Sequence, residues 1–199
     1  VRRMVSVTDS SGLAGNYLNL SSSCLELNDN EKAVELAEAG LLISRIYPDD
    51  VQPKVKADLY QVIGLSLYRT QEYNKSLFYC REALRIYEMY PEVSVESGIL
   101  LYNTIGQVYR RLGKTKEAEE HFTRGLSVRD SRNTRDKYLL YINYSTFLVQ
   151  EGRLNEAERV LEQGLDEVRT IYGPESREYF MMLVSVAQFV DSSLGDRDR

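Results

Sequence analysis

Tryptophan is absent from this 199-residue chain, histidine occurs once, at His121, and cysteine only at Cys24 and Cys80. Each scarcity removes a class of function. No second histidine or suitable cysteine joins His121, so the ligand sets of zinc sites cannot be assembled. Its neighbours Glu117, Glu119 and Glu120 read as the charged outer face of a helix. The two cysteines lie in apolar helical patterns, where free buried thiols are expected rather than a disulfide or metal pair. No apolar run approaches the roughly 18 residues of a membrane span. A basic surplus is missing too: 25 Lys and Arg face 30 Asp and Glu, a net charge of −5. That balance argues against binding a nucleic-acid phosphate backbone. No Ser-His-Asp set, zinc-helix motif or dinucleotide fingerprint is found, so no catalytic residue, metal site or cofactor is expected.

The one stretch that invites a phosphate-loop reading is Gly113-Lys114-Thr115. That motif needs four residues between its glycines, whereas six separate Gly106 from Gly113, and a helix rather than a strand precedes the loop. A helical turn is expected instead, with glycine ending one helix and Thr115 capping the next. Three N-x-S sequons, at Asn19, Asn74 and Asn143, fall inside expected helices rather than exposed loops. With no secretory pattern at the start, they suggest accidental matches in a cytoplasmic protein. The chain opens with Val1-Arg2-Arg3 instead of an initiator methionine, so it is expected to be a segment of something longer.

What is present is repetition. Small residues Ala33, Ser76, Ala118 and Ala157 recur at intervals of 43, 42 and 39. Each is followed four and seven positions later by Ala37 and Gly40, Cys80 and Ala83, Phe122 and Gly125, and Leu161 and Gly164. Sixteen residues before each anchor stands a tyrosine: Tyr17, Tyr60, Tyr102 or Tyr141. Three further on come Leu20, Ile63, Ile105 and Tyr144, and then a small residue, Ser21, Gly64, Gly106 or Ser145. Bulky and tiny residues at helical spacing let two helices approach closely along one stripe, and a hairpin of this kind needs like neighbours to bury its other side.

These residues resemble the tetratricopeptide repeat over about residues 13 to 172. GKTKEAEEHFTRGLSVR and EGRLNEAERVLEQGLDEVRTIYGPES are similar to its kinesin-light-chain type. The resemblance implies an all-α, right-handed superhelix of four hairpins plus a capping helix. Stop signals place the hairpins at about 11–47, 54–90, 92–129 and 134–172 and the cap at 175–190, between a frayed 1–10 and a polar 191–199. Asn28-Asp29-Asn30 should cap the second helix, Pro91 should open the third pair, and Asp130 to Asn133 should form the longest connector. On the last helix Phe180, Leu183, Val184 and Ala187 share one face. Most of the 15 tyrosines occupy packing positions.

First helices of stacked hairpins line the concave side. Counting from each tyrosine, the inner face holds Gln61, Leu65, Tyr68 and Arg69, then Asn103, Gln107, Arg110 and Arg111, then Ile142, Asn143, Thr146 and Gln150. Amides and arginines beside a tyrosine suit the backbone and carboxylates of an extended peptide. Gln61, Tyr68, Arg69, Asn103, Gln107, Arg110, Arg111, Asn143 and Thr146 are therefore the candidate peptide-binding residues. The family's carboxylate clamp for chaperone tails is missing, since Leu18 and Ser22 replace its first Lys-x3-Asn pair and Asn103 and Gln107 the second pair. The kinesin-light-chain resemblance implies paired inner asparagines that hold a cargo peptide, matched by Asn103 and Asn143 in different repeats. The expected function is a non-catalytic module of a larger intracellular protein. Its partner would be a protein or peptide, an acidic one included, with neither nucleic acid nor membrane bound. Two alternatives stand beside it: a scaffold that self-associates through the last helix, with Tyr179 to Met182 as the contact, and the sensor domain of a regulatory protein.

Overall fold

A computed structural model describes residues 10–90, 95–128 and 137–195. These form nine α-helices: α1 (Ser10–Glu26), α2 (Asn30–Ile46), α3 (Pro53–Arg69), α4 (Tyr73–Met89), α5 (Val95–Arg111), α6 (Thr115–Ser127), α7 (Lys137–Gln150), α8 (Leu154–Tyr172) and α9 (Arg177–Gly195). The all-α architecture of four antiparallel hairpins plus a closing helix is the one the repeat implies. Pro91 and the Asp130 to Asn133 connector lie outside the described residues.

Every hairpin turns the same way. The residue five positions before each small anchor adopts the left-handed conformation: Asn28 (φ 62°), Gln71 (φ 65°), Gly113 (φ 69°) and Gly152 (φ 73°). The next amide then reaches back to the last helical turn: Asp29 N donates to Cys24 O (2.9 Å), Glu72 N to Leu67 O (2.8 Å), Lys114 N to Tyr109 O (2.9 Å) and Arg153 N to Leu148 O (2.9 Å). This closure satisfies carbonyls that a helix end leaves orphaned. Asp29 caps α2 as expected, its carboxylate accepting from Lys32 N at 3.2 Å. Thr115 is not the cap of α6: that position falls on Lys114, with no side-chain cap bond, and Thr115 is already helical.

Close approach at the anchors holds each hairpin. Ala33, Ser76, Ala118 and Ala157 are fully buried. Ser76 Oγ donates to Gly64 O across the α3–α4 seam at 2.7 Å, so the hydroxyl is buried without loss. One hydrophobic cluster runs from Leu25 to Ala157, and a second joins Tyr141, Leu161, Val168 and Met182 around α7 to α9. Burial pushes the Cys80 thiol up to about 12, so it stays protonated and packs as a small apolar group. Cys24 is half-buried, and both thiols are free.

Three positions depart from the sequence reading. His121 is not on a charged outer face: it is 9% exposed, its Nδ1 2.8 Å from Glu117 O and its ring packed against Tyr109 and Tyr102. Leu20, aligned with the fully buried Ile63 and Ile105, is 54% exposed, because α1 is met only by α2 and α3 among the described helices. On α9 the packed side is Tyr179, Met182, Val186 and Phe189. The face carrying Phe180, Leu183 and Ala187 points outward, since only α7 and α8 reach this helix.

Curvature follows from which helices touch. Consecutive first helices meet, α1 with α3, α3 with α5, α5 with α7 and α7 with α9. No described second helix contacts the next second helix. A stack whose first helices converge while its second helices splay must bend, with the first helices inside.

Candidate peptide-binding wall

On a helix, positions one, five and eight residues after a given side chain fall along one side. From the four tyrosines these rows read Leu18, Gln61, Asn103 and Ile142, then Ser22, Leu65, Gln107 and Thr146, then Leu25, Tyr68, Arg110 and Val149. The pattern across the rows is uneven. All three positions are polar in α5, whereas α1 and α7 carry aliphatic residues at two of three.

The polar centre is cross-linked between repeats. Tyr68 Oη donates to Gln107 Oε1 (3.4 Å), Arg110 Nη2 to the same oxygen (2.9 Å), and Arg110 Nη1 to Gln150 Oε1 on α7 (3.1 Å). The Arg110 Nε is buried and has no hydrogen-bond partner. Beside it, Asn143 Nδ2 donates to Asn103 Oδ1 at 3.0 Å. The structure thus brings Tyr68, Gln107, Arg110 and Gln150 into one chain and Asn103 and Asn143 into a pair. Asn103 is only 6% exposed, so its amide is largely taken up by that pairing.

The remaining candidates lie elsewhere on the wall. Arg69 turns back to the first hairpin, its Nη1 2.5 Å from Leu25 O and 3.2 Å from Asn28 Oδ1. There it braces the left-handed turn at Asn28. Arg111 is exposed and forms no hydrogen bond or ion pair among the described residues. Gln61 lines a hollow of about 320 Å³ between α1 and α3, with Leu18, Asn19, Ser22, Leu25, Asp58, Val62 and Leu65 and with Leu100 of α5 at its edge. Thr146 donates to Ile142 O (2.8 Å) and lines a second hollow, about 170 Å³, between α7 and α9. That hollow is completed by Ile142, Ser145, Val149, Ser185, Gln188 and Phe189, with Leu161 of α8 beneath. The α1 and α9 contributions were not among the sequence candidates. Applying the three-row count to Tyr17 finds Leu18, Ser22 and Leu25. The same count from Tyr179 of α9 gives Phe180, Val184 and Ala187, none of which lines the hollow.

The arginines of this wall are uncompensated. Arg69, Arg110 and Arg111 pair with no carboxylate among the described residues. Some other cations do: Lys54 meets Asp58 at 2.7 Å, and Arg153 meets Glu119 at 2.8 Å and Glu156 at 2.7 Å. A guanidinium held only by amide and carbonyl oxygens keeps its full charge available to an arriving carboxylate. Among the described residues no group of three or more His, Cys, Asp and Glu is placed to hold a metal, and no helix is long and apolar enough to cross a membrane.

The family model for the tetratricopeptide repeat matches residues 56–131, which span α3 to α6 and the residues that follow. Residues 56–131 carry tetratricopeptide repeats. Among solved structures, BtubC (BKLC) from P. vanneervenii superposes with a TM-score of 0.74 at 14% identity, over 92% of this chain and 74% of that one. The nearly identical TPR-like repeats of a putative kinesin light chain from Podosopora anserina give 0.68 at 13% identity, over 95% and 90%. YrrB, a TPR protein with an unusual peptide-binding site, gives 0.53 at 16% identity, over 87% and 84%. At these identities the likeness is one of fold. No curated protein matches the sequence. Tetratricopeptide-repeat domains are typically protein-protein interaction modules, generally without catalytic activity.

Proposed function

We propose that the concave wall of this tetratricopeptide-repeat domain binds an extended segment of a protein partner, as a non-catalytic module of a larger intracellular protein. The observation that carries this reading is the set of three arginines, Arg69, Arg110 and Arg111, on the inner helices of a chain with net charge −5, none of them ion-paired with a carboxylate among the described residues. Amides at Gln61, Gln107, Asn143 and Gln150 supply donors and acceptors for a peptide backbone, and Tyr68 and Thr146 add hydroxyls. YrrB, similar in fold, is described as having a peptide-binding site, which supports peptide binding as a use of this fold. The test is Arg110→Glu with Arg111→Glu, measured against peptides selected from a random library on the unaltered protein. Affinity should fall at least tenfold; unchanged affinity rejects the wall as the site.

One observation favours a second reading, self-association through α9. Phe180 is 64% and Leu183 40% exposed, and the two lie three residues apart on its outward face. Of the contact expected at Tyr179 to Met182, Met182 is fully buried and Tyr179 packs inward, leaving Phe180 and Met181 outside. Phe180→Ser with Leu183→Ser, followed by mass in solution across a concentration series, separates the readings. A mass above the monomer that the double variant lowers favours the scaffold.

A further inference from the structure

We infer that the ligand of this wall is an extended acidic segment with two aliphatic side chains about eight residues apart. The inference rests on the groove reading above. Three features lie in a row along the inner helices: the hollow between α1 and α3, the amide and guanidinium centre on α5, and the hollow between α7 and α9. Their volumes, about 320 and 170 Å³, lie at or below the lower limit for small-molecule sites and suit single side chains.

Helix geometry sets the spacing. Neighbouring packed helices stand roughly 8–10 Å apart, and the hollows are three such intervals from one another, about 24–30 Å. An extended chain covers about 3.3 Å per residue, so seven to nine residues join the anchors. Helix α5 lies between the two hollows and reaches the edge of the first through Leu100, which places the middle of the segment over Arg110 and Arg111. Charge complementarity fixes its chemistry. The Arg110 guanidinium is oriented by the neutral side-chain oxygens of Gln107 and Gln150, and a carboxylate that displaces them exchanges neutral contacts for charge-assisted ones. Both hollows mix polar and apolar side chains, and their aliphatic and aromatic members, Leu18, Val62 and Leu65 at one end and Ile142, Val149 and Phe189 at the other, favour aliphatic anchors, with Asp58 in the first hollow excluding an acidic one.

The test is selection of random twelve-residue peptides displayed on phage against the intact protein. Enriched peptides should carry two aliphatic residues seven to nine positions apart with Asp or Glu midway. Ser22→Phe, which fills the first hollow, and Thr146→Phe, which fills the second, should each weaken binding about tenfold or more, the effect of losing one buried aliphatic side chain. Replacing the corresponding peptide anchor by serine should then cost nothing further in that variant. Asn19→Trp and Gln188→Trp, at the rims of the same hollows, serve if either first variant fails to fold by circular dichroism. Enriched peptides with one anchor or no fixed spacing, or binding indifferent to filling both hollows, overturn the inference. If such peptides still depend on Arg110, the groove reading stands without it. If no peptide is enriched, or Arg110→Glu leaves binding unchanged, both fall.

Discussion

A Cβ built on Gly106 would stand 2.7 Å from the ring of Phe122, so α5 and α6 leave no room at this point for a side chain unless the ring moves. The Phe122 ring cannot swing away, because Tyr144 and Phe147 pack on it with centroids 5.6 Å distant. Gly106→Ala should therefore destabilise the protein by about 1–2 kcal/mol: overpacking a fixed core costs about 1–3 kcal/mol, partly offset by alanine's better helix propensity. Urea denaturation of both proteins measures it. No loss would mean the third hairpin is looser than the packing indicates.

Gln71 occupies the left-handed turn position that Gly113 and Gly152 hold in later repeats. A non-glycine residue there costs roughly 1–2 kcal/mol, only part of which glycine returns through its greater freedom when unfolded. Gln71→Gly should raise stability by about 0.5–1 kcal/mol, seen as a higher Tm. A lower Tm would show that Gln71 makes an interaction the turn depends on.

Burial holds the imidazole of His121 below its ordinary pKa of 6.5, against the opposing pull of its bond to the Glu117 carbonyl. Arg81 and Arg124 also press it down, and Glu120 pulls it up. With the folded value depressed, the unfolded chain binds the extra proton first. The stabilising contribution is therefore complete above pH 6.5 and is lost as pH falls through the folded value. Unfolding free energy should decline from pH 7.5 to 5.5, and His121→Phe, which removes the only histidine, should flatten that slope. An NMR titration midpoint at or above 6.5 would contradict the burial argument.

The hairpins were legible because four anchors, four tyrosines and their followers repeat at fixed offsets, and such a rhythm admits one packing. Side-chain alliances between repeats were not. Whether Arg110 reaches Gln150, or Arg69 turns back to Asn28, depends on the distance between helices, which no spacing along one helix encodes. His121 was hidden by its acidic neighbours. Aligned on the anchors, its position holds Leu36, Tyr79, His121 and Val160, an apolar row that marks the buried flank of each second helix. Leu20 and Phe180 misled for another reason: they obey the periodicity but sit on helices lacking one neighbour among the described elements.

The pairing of Asn143 with Asn103 separates latch from binding surface. Asn103 is 6% exposed, so Asn143→Leu strands a buried amide whose partner has gone, a loss of about 1–3 kcal/mol. Replacing both by leucine removes the stranded group as well as the bond, and the double variant should recover much of that loss, because two apolar side chains of similar size replace two matched polar ones. The coupling comes from urea unfolding of the two single variants and the double variant. If the pair is only a latch, the double variant also keeps its affinity for library-selected peptides. Recovered stability with lost affinity would mean that ligand opens the pair and uses its amides directly, and additive losses would mean that the two side chains are not coupled at all.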